Sequence, residues 1–108
     1  MPSMNVYGKL GKILLGNRRG RLEMAIDLLM AMDSGYSSFV QLMGVANLTS
    51  KRFIEIMNQL IAYGLVIDDR KKTRRHHYHL TNKGKTVLRK IREIISIINM
   101  ESDMEKPT

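Results

Sequence analysis

The sequence predicts a mainly helical fold with one small β-hairpin, in the order of three helices, two strands and a final helix. Three observations predict it. Apolar residues recur at spacings of three and four over most of the chain, the signature of helices that bury one face. That period breaks after Gly64, where a β-branched run, a highly charged stretch and a run alternating around Tyr78 follow one another. Both prolines, Pro2 and Pro107, lie at the ends, so ring sterics bar nothing between them from helix or strand.

With 108 residues, 44% of them hydrophobic, the chain has the size of one domain and enough apolar material for a core. The absence of cysteine excludes a disulfide framework, a thiolate zinc site and a cysteine nucleophile. No apolar run approaches the ~20 residues that span a bilayer, and no signal-peptide pattern opens the chain. The expectation is a basic cytoplasmic protein without a membrane partner.

Taken in order, the first 20 residues hold four of the eight glycines, and residues 1–18 are expected to form an arm with at most a short helical turn. Residues 19–33 place Leu22, Ala25, Ile26, Leu29 and Met32 on one stripe, and Gly35 ends that helix. Phe39-Val40-Gln41-Leu42-Met43-Gly44-Val45 follows as a second, short helix with Ser37 or Ser38 as its N-cap. Asn47-Leu48-Thr49-Ser50 supplies a tight turn and a new cap, opening a third helix that buries Phe53, Ile56, Met57 and Leu60 and stops at Gly64. Leu65-Val66-Ile67 and His76-His77-Tyr78-His79-Leu80 then read as two strands joined by a basic tip. Thr81 can cap the last helix, which fades near Met104 and leaves 105–108 as a tail. This arrangement, with about four residues between helices two and three, is that of a winged helix-turn-helix at residues 19–81, completed by a C-terminal helix at 82–104.

The charge is unevenly placed. The net +8 divides into ten basic residues and no acidic one between positions 70 and 92, and 8 basic against 10 acidic residues elsewhere. A contiguous excess of this kind is the electrostatic footprint of a polyanion partner, and it coincides with the hairpin that would ride over phosphates as a wing.

Arg21-Leu22-Glu23, Ala46-Asn47-Leu48-Thr49, Gly64-Leu65-Val66 and Tyr78-His79-Leu80-Thr81-Asn82-Lys83-Gly84-Lys85 carry a family likeness. Over residues 19–98 the chain resembles the small archaeal winged-helix DNA-binding regulators, a group that includes the ten-kilodalton archaeal DNA-binding proteins. That resemblance implies DNA binding and dimerisation through a C-terminal helix that forms an antiparallel coiled coil.

Residue by residue, a helical wheel turns Lys51, Glu55 and Asn58 outward on helix three, with Arg52 and Gln59 flanking and Ser50 at its start. Lys51 or Arg52 can donate to guanine, Asn58 or Gln59 can pair with adenine, and Glu55 can accept from cytosine or pair with Lys51 or Arg52. Arg70, Lys71, Lys72, Arg74 and Arg75 supply cations for phosphate, joined by His77. In a strand His76 shares the inward face of Tyr78, while His77 and His79 point out together. No carboxylate or cysteine lies near those histidines in sequence, so hydrogen bonds to phosphate are expected and no metal is assigned. No catalytic residue, cofactor or small-molecule ligand is expected either: Asp68 and Asp69, being adjacent, point to opposite sides of an extended chain.

Val87, Leu88, Ile91, Ile94, Ile95 and Ile98 make a stripe on the last helix broader than packing within one chain needs, which predicts a homodimer. The function these residues predict is double-stranded DNA binding by a homodimeric transcriptional regulator. The alternatives are a sequence-tolerant architectural nucleoid protein and a winged-helix protein-interaction domain.

Overall fold

The computed structural model describes residues 20–70 and 75–104, with side chains described as far as residue 100. The arm at 1–18, the wing-tip residues Lys71, Lys72 and Arg74, and the tail at 105–108 lie outside the described residues. The elements are α1 (Arg21–Asp33), α2 (Phe39–Val45), α3 (Ser50–Ala62), β1 (Val66–Asp68), β2 (Tyr78–Leu80) and α4 (Asn82–Met104). This is a winged helix-turn-helix followed by a long helix.

Helix α1 sits at the centre, touching α2, α3, α4 and β2. Its buried residues are Ile26, Leu28, Leu29, Ala31 and Met32, all in its last two turns. The single stripe expected for this helix is therefore too narrow. Leu22, assigned to the core, is 39% exposed in the first turn, whereas Leu28 is fully buried. Neighbours on several sides of α1 explain why the run Leu28-Leu29-Met30-Ala31-Met32 is apolar without a polar break.

Helices α1, α2 and α3 end in the same way. In each, the residue after the C-cap adopts a left-handed conformation: Gly35 (φ 107), Asn47 (φ 54) and Gly64 (φ 77). Its amide and the next one turn back into the helix, as Gly64 N donates to Ile61 O at 2.9 Å and Leu65 N to Leu60 O at 2.9 Å. This is the Schellman pattern, with Tyr36, Leu48 and Leu65 as the apolar residues that follow. Asparagine serves at the middle site because its short polar side chain tolerates the left-handed region. The starts are equally explicit: Ser38 and Gln41 form a capping box on α2, and Thr49 Oγ1 accepts from Arg52 N at 3.2 Å on α3.

The hairpin is antiparallel, pairing Val66 with Leu80, Ile67 with His79 and Asp68 with Tyr78. Against expectation β1 is shifted by one residue and β2 is shorter, and the reasons are local. The amide of Leu65 is already used in the α3 cap, and its carbonyl accepts from Thr81 N at 3.0 Å, so β1 begins one residue later. On the other strand, His77 bridges Ser38 and Tyr78 N donates to Ser37 O at 2.8 Å. The hairpin is thereby stitched to the entry of α2.

One core joins Leu28, Leu29, Leu42, Phe53, Ile56, Met57, Leu60, Val66, Tyr78 and Leu88; a second, smaller cluster sets Ile26 against Ile95. The beginning of α4 is pinned to the end of α3. Thr81 Oγ1 donates to Gly64 O at 2.6 Å and Lys83 Nζ to Tyr63 O at 2.7 Å. Gly84 packs so tightly that a Cβ there would lie 2.1 Å from Leu65 O.

Candidate nucleic-acid interface

The burial of Phe53, Ile56, Met57 and Leu60 fixes the rotation of α3 and turns Lys51, Arg52, Asn58 and Gln59 to solvent. Glu55 does not pair with Lys51 or Arg52 on its own helix. Its Oε2 accepts from Arg21 Nη2 of α1 at 3.1 Å, so α1 places a cation beside the carboxylate. Ser50 turns its hydroxyl toward Met43 Sδ at 3.4 Å, which leaves it facing α2. Ile54, on the wheel beside Asn58, is 46% exposed; it falls outside a site defined by polar groups, although a methyl-bearing side chain there can meet a thymine methyl.

In the wing, Asp68 is the organising residue. Its Oδ2 lies 2.6 Å from His76 Nδ1 and 3.2 Å from Arg70 Nε, and its Oδ1 accepts from His77 N at 3.1 Å. Burial pushes this carboxyl up, but the hydrogen bonds from His76, the His77 amide and Arg70 outweigh it and hold it below the ordinary carboxylate value. Arg70 is thus fastened at the root of the wing while Arg75 is exposed. His76 stacks on Tyr78 with ring centroids 5.4 Å apart, on the inward side expected of it. Burial, with the Asp68 charge added, pushes the Tyr78 phenol up to about 12. On the other side of the strand His77 and His79 meet, Nδ1 to Nε2 at 2.8 Å.

The α4 stripe divides. Leu88 and Ile95, assigned to a dimer contact, are each 2% exposed and belong to the chain's own core, and Ile91 and Ile98 pack against it in part. Ile94, Ile97 and Met100 stay exposed. Ile97 and Met100 fall outside the stripe predicted from the sequence: on the wheel Ile97 lies about 60° beyond Ile94, and Met100 about 60° further round. Arg92 Nη1 holds Asp33 Oδ2 at 2.7 Å, tying α4 to the end of α1. Among the described residues no group of three or more His, Cys, Asp or Glu could hold a metal ion, and no helix is long and apolar enough to cross a membrane.

The profile of the family described as winged helix-turn-helix matches residues 18–99, which covers every element above except the last five residues of α4. The chain belongs to the winged helix-turn-helix family. Among solved structures it is similar to a transcriptional repressor, CouR, bound to a 23-mer DNA duplex, with TM-score 0.70 and 15% identity over 96% of this chain and 74% of that one. It is also similar to a MarR family transcriptional regulator from Silicibacter pomeroyi, with TM-score 0.68 and 20% identity over 98% and 70% of the two chains. The transcriptional regulator BldR from Sulfolobus solfataricus gives TM-score 0.65 and 28% identity over 97% of this chain and 84% of that chain. Comparison with curated proteins gives no match.

Proposed function

We propose that this winged helix-turn-helix protein is a transcriptional regulator of the archaeal type that binds double-stranded DNA as a homodimer. Helix α3 enters the major groove, the wing lies on the backbone and α4 joins two copies. Residues 19–81 are the DNA-binding unit, 82–104 complete the core and the dimer, and 1–18 are an arm. The observation that carries this reading is the face of α3, where Lys51, Arg52, Asn58 and Gln59 stand exposed over a fully buried apolar side. Those residue types match the donor and acceptor pattern of guanine and adenine edges. The likeness to a repressor bound to duplex DNA supports the same docking. Neutralising Glu55 through Arg21 removes the repulsion a free carboxylate would feel from phosphate. In the wing, Arg75 and the basic residues of the tip neutralise phosphates independently of sequence.

The dimer rests on Ile94, Ile97 and Met100, which the chain leaves about half exposed. Light scattering on wild type and on Ile97→Glu tests it: a dimeric mass that falls to the monomer value in the variant is expected. A monomeric wild type overturns it. For DNA, titration of a random duplex library at several salt concentrations is expected to enrich a two-fold symmetric sequence, bound ~10³–10⁷ times tighter than bulk DNA. A steep salt slope with no enriched sequence would instead identify an architectural protein. No binding at low salt would sink both.

A further inference from the structure

The paired histidines at the start of the second hairpin arm, His77 before β2 and His79 within it, have no part in holding the core. We propose that His77 and His79 form a bidentate site for a divalent first-row metal ion of tetragonal preference, with Cu(II) the best fit. The inference stands apart from the reading of α3 and does not depend on DNA binding.

The backbone supplies the preorganisation. His77 is fixed on three sides: its amide donates to Asp68 Oδ1, its carbonyl accepts from Asp69 N at 2.7 Å, and it bridges Ser38. His79 is held opposite Ile67 in the hairpin register. One residue apart on a strand, the two side chains leave the same face, and Tyr78 between them enters the core. Their nitrogens stand 2.8 Å apart.

At 2.8 Å the two nitrogens are in hydrogen-bond contact, so turning the two rings can bring both lone pairs onto one ion. A pair of imidazoles completed by water suits Cu(II) and Ni(II), and the ordering of divalent affinities puts copper ahead. The rings now stand at 88° to one another, sharing one proton between Nδ1 of His77 and Nε2 of His79. Chelation requires the rings to turn until both lone pairs meet at one point, and the bridging proton to pass through solvent to the other nitrogen of its own ring, so that each imidazole stays neutral. The ion exchanges two of its waters for the two nitrogens, with no change of oxidation state and no net proton release.

The surroundings leave room for the remaining waters. His77 and His79 line a cavity of about 490 Å³ whose wall includes Asp33, Tyr36, Ser37 and Lys85. Asp33 is engaged with Arg92, so it does not complete the coordination, and Lys85 adds a positive charge that moderates affinity.

The test is titration of the full chain with Cu(II), Ni(II) and Zn(II), followed by calorimetry and by electron paramagnetic resonance of the copper form. One Cu(II) per chain with a two-nitrogen tetragonal spectrum is expected, with Cu(II) bound tightest. His77→Ala and His79→Ala should each weaken it by at least the about 10–100-fold that loss of even an outer-shell partner brings. His76→Ala, on the opposite face, should leave it unchanged, and circular dichroism confirms that each variant is folded. Copper affinity unmoved by either substitution in a folded variant, a spectrum lacking histidine nitrogen, or zinc bound as tightly as copper would overturn the proposal.

Discussion

Helices α3 and α4 are both amphipathic, yet they divide their surfaces differently. On α3 the chain's own core consumes the central apolar stripe, and the outward face is mostly polar, with Ile54 and Ile61 also exposed. On α4 the same core consumes Leu88 and Ile95 but leaves Ile94, Ile97 and Met100 in water. Amphipathicity alone therefore does not say what a helix is for. What remains after the monomer has packed does: polar groups on α3 suit the edges of bases, and surplus isoleucine on α4 suits another copy of itself.

The sharpest way to break this contrast is to remove the ring on which α3 rests. Phe53→Ala, at a fully buried site where Phe39 and Tyr78 pack edge-on, should cost about 3–5 kcal/mol in urea denaturation. Ile97→Ala, on the free edge of α4, should change the stability of the dilute monomer by less than about 0.5 kcal/mol. Next in size is the junction between the two helices. Gly84→Ala must displace the Leu65 carbonyl and should cost about 1–3 kcal/mol or more, read as a drop in melting temperature. The outward face of α3 comes third. Asn58→Ala should leave the melting temperature alone and relax selectivity at one base pair by about 1–3 kcal/mol in competition binding.

A further effect concerns pH. Burial pushes the Asp27 carboxyl up to about 6 from 3.8, so the unfolded chain releases this proton before the folded one does. Stability is therefore lost as pH rises between those values. Asp27→Asn should stabilise the protein above pH 6 and lose that advantage toward pH 4, as thermal melts across that range would show.

The same division explains what could be read from the sequence. Caps and turns are local chemistry, so Ser38, Thr49, Gly64 and Thr81 mark the element boundaries by residue type alone. The outward face of α3 was equally legible, because one helix packed from one side obeys a simple wheel. The wheel failed on α1, where neighbours on several sides bury Leu28 as well as the expected stripe; the unbroken run from Leu28 to Met32 was the available signal. It misjudged α4 because periodicity shows how wide a stripe is and not how much of it the chain itself will cover. Pairings across long sequence separations had no local trace. Arg21 meets Glu55 across 34 positions, and His77 bridges Ser38, only because the fold brings them together. The motif Thr81-Asn82-Lys83-Gly84 was recognisable as a pattern, but its physical content emerges only at the α3 carbonyls that Thr81 and Lys83 satisfy and at the Leu65 carbonyl against which Gly84 packs.

Those three contacts have a consequence for operator choice. Thr81, Lys83 and Gly84 clamp the start of α4 onto the turn that ends α3, so a tilt of α4 is expected to be passed to α3. In a dimer built through α4, the packing angle between the two copies then sets the separation of the two α3 helices. Half-sites about 34–36 Å apart lie one turn of DNA from each other on the same face of the duplex. A substitution at Ile94 or Met100 that tilted the partner would change which half-site spacing is accepted while every base-reading side chain stayed as it was.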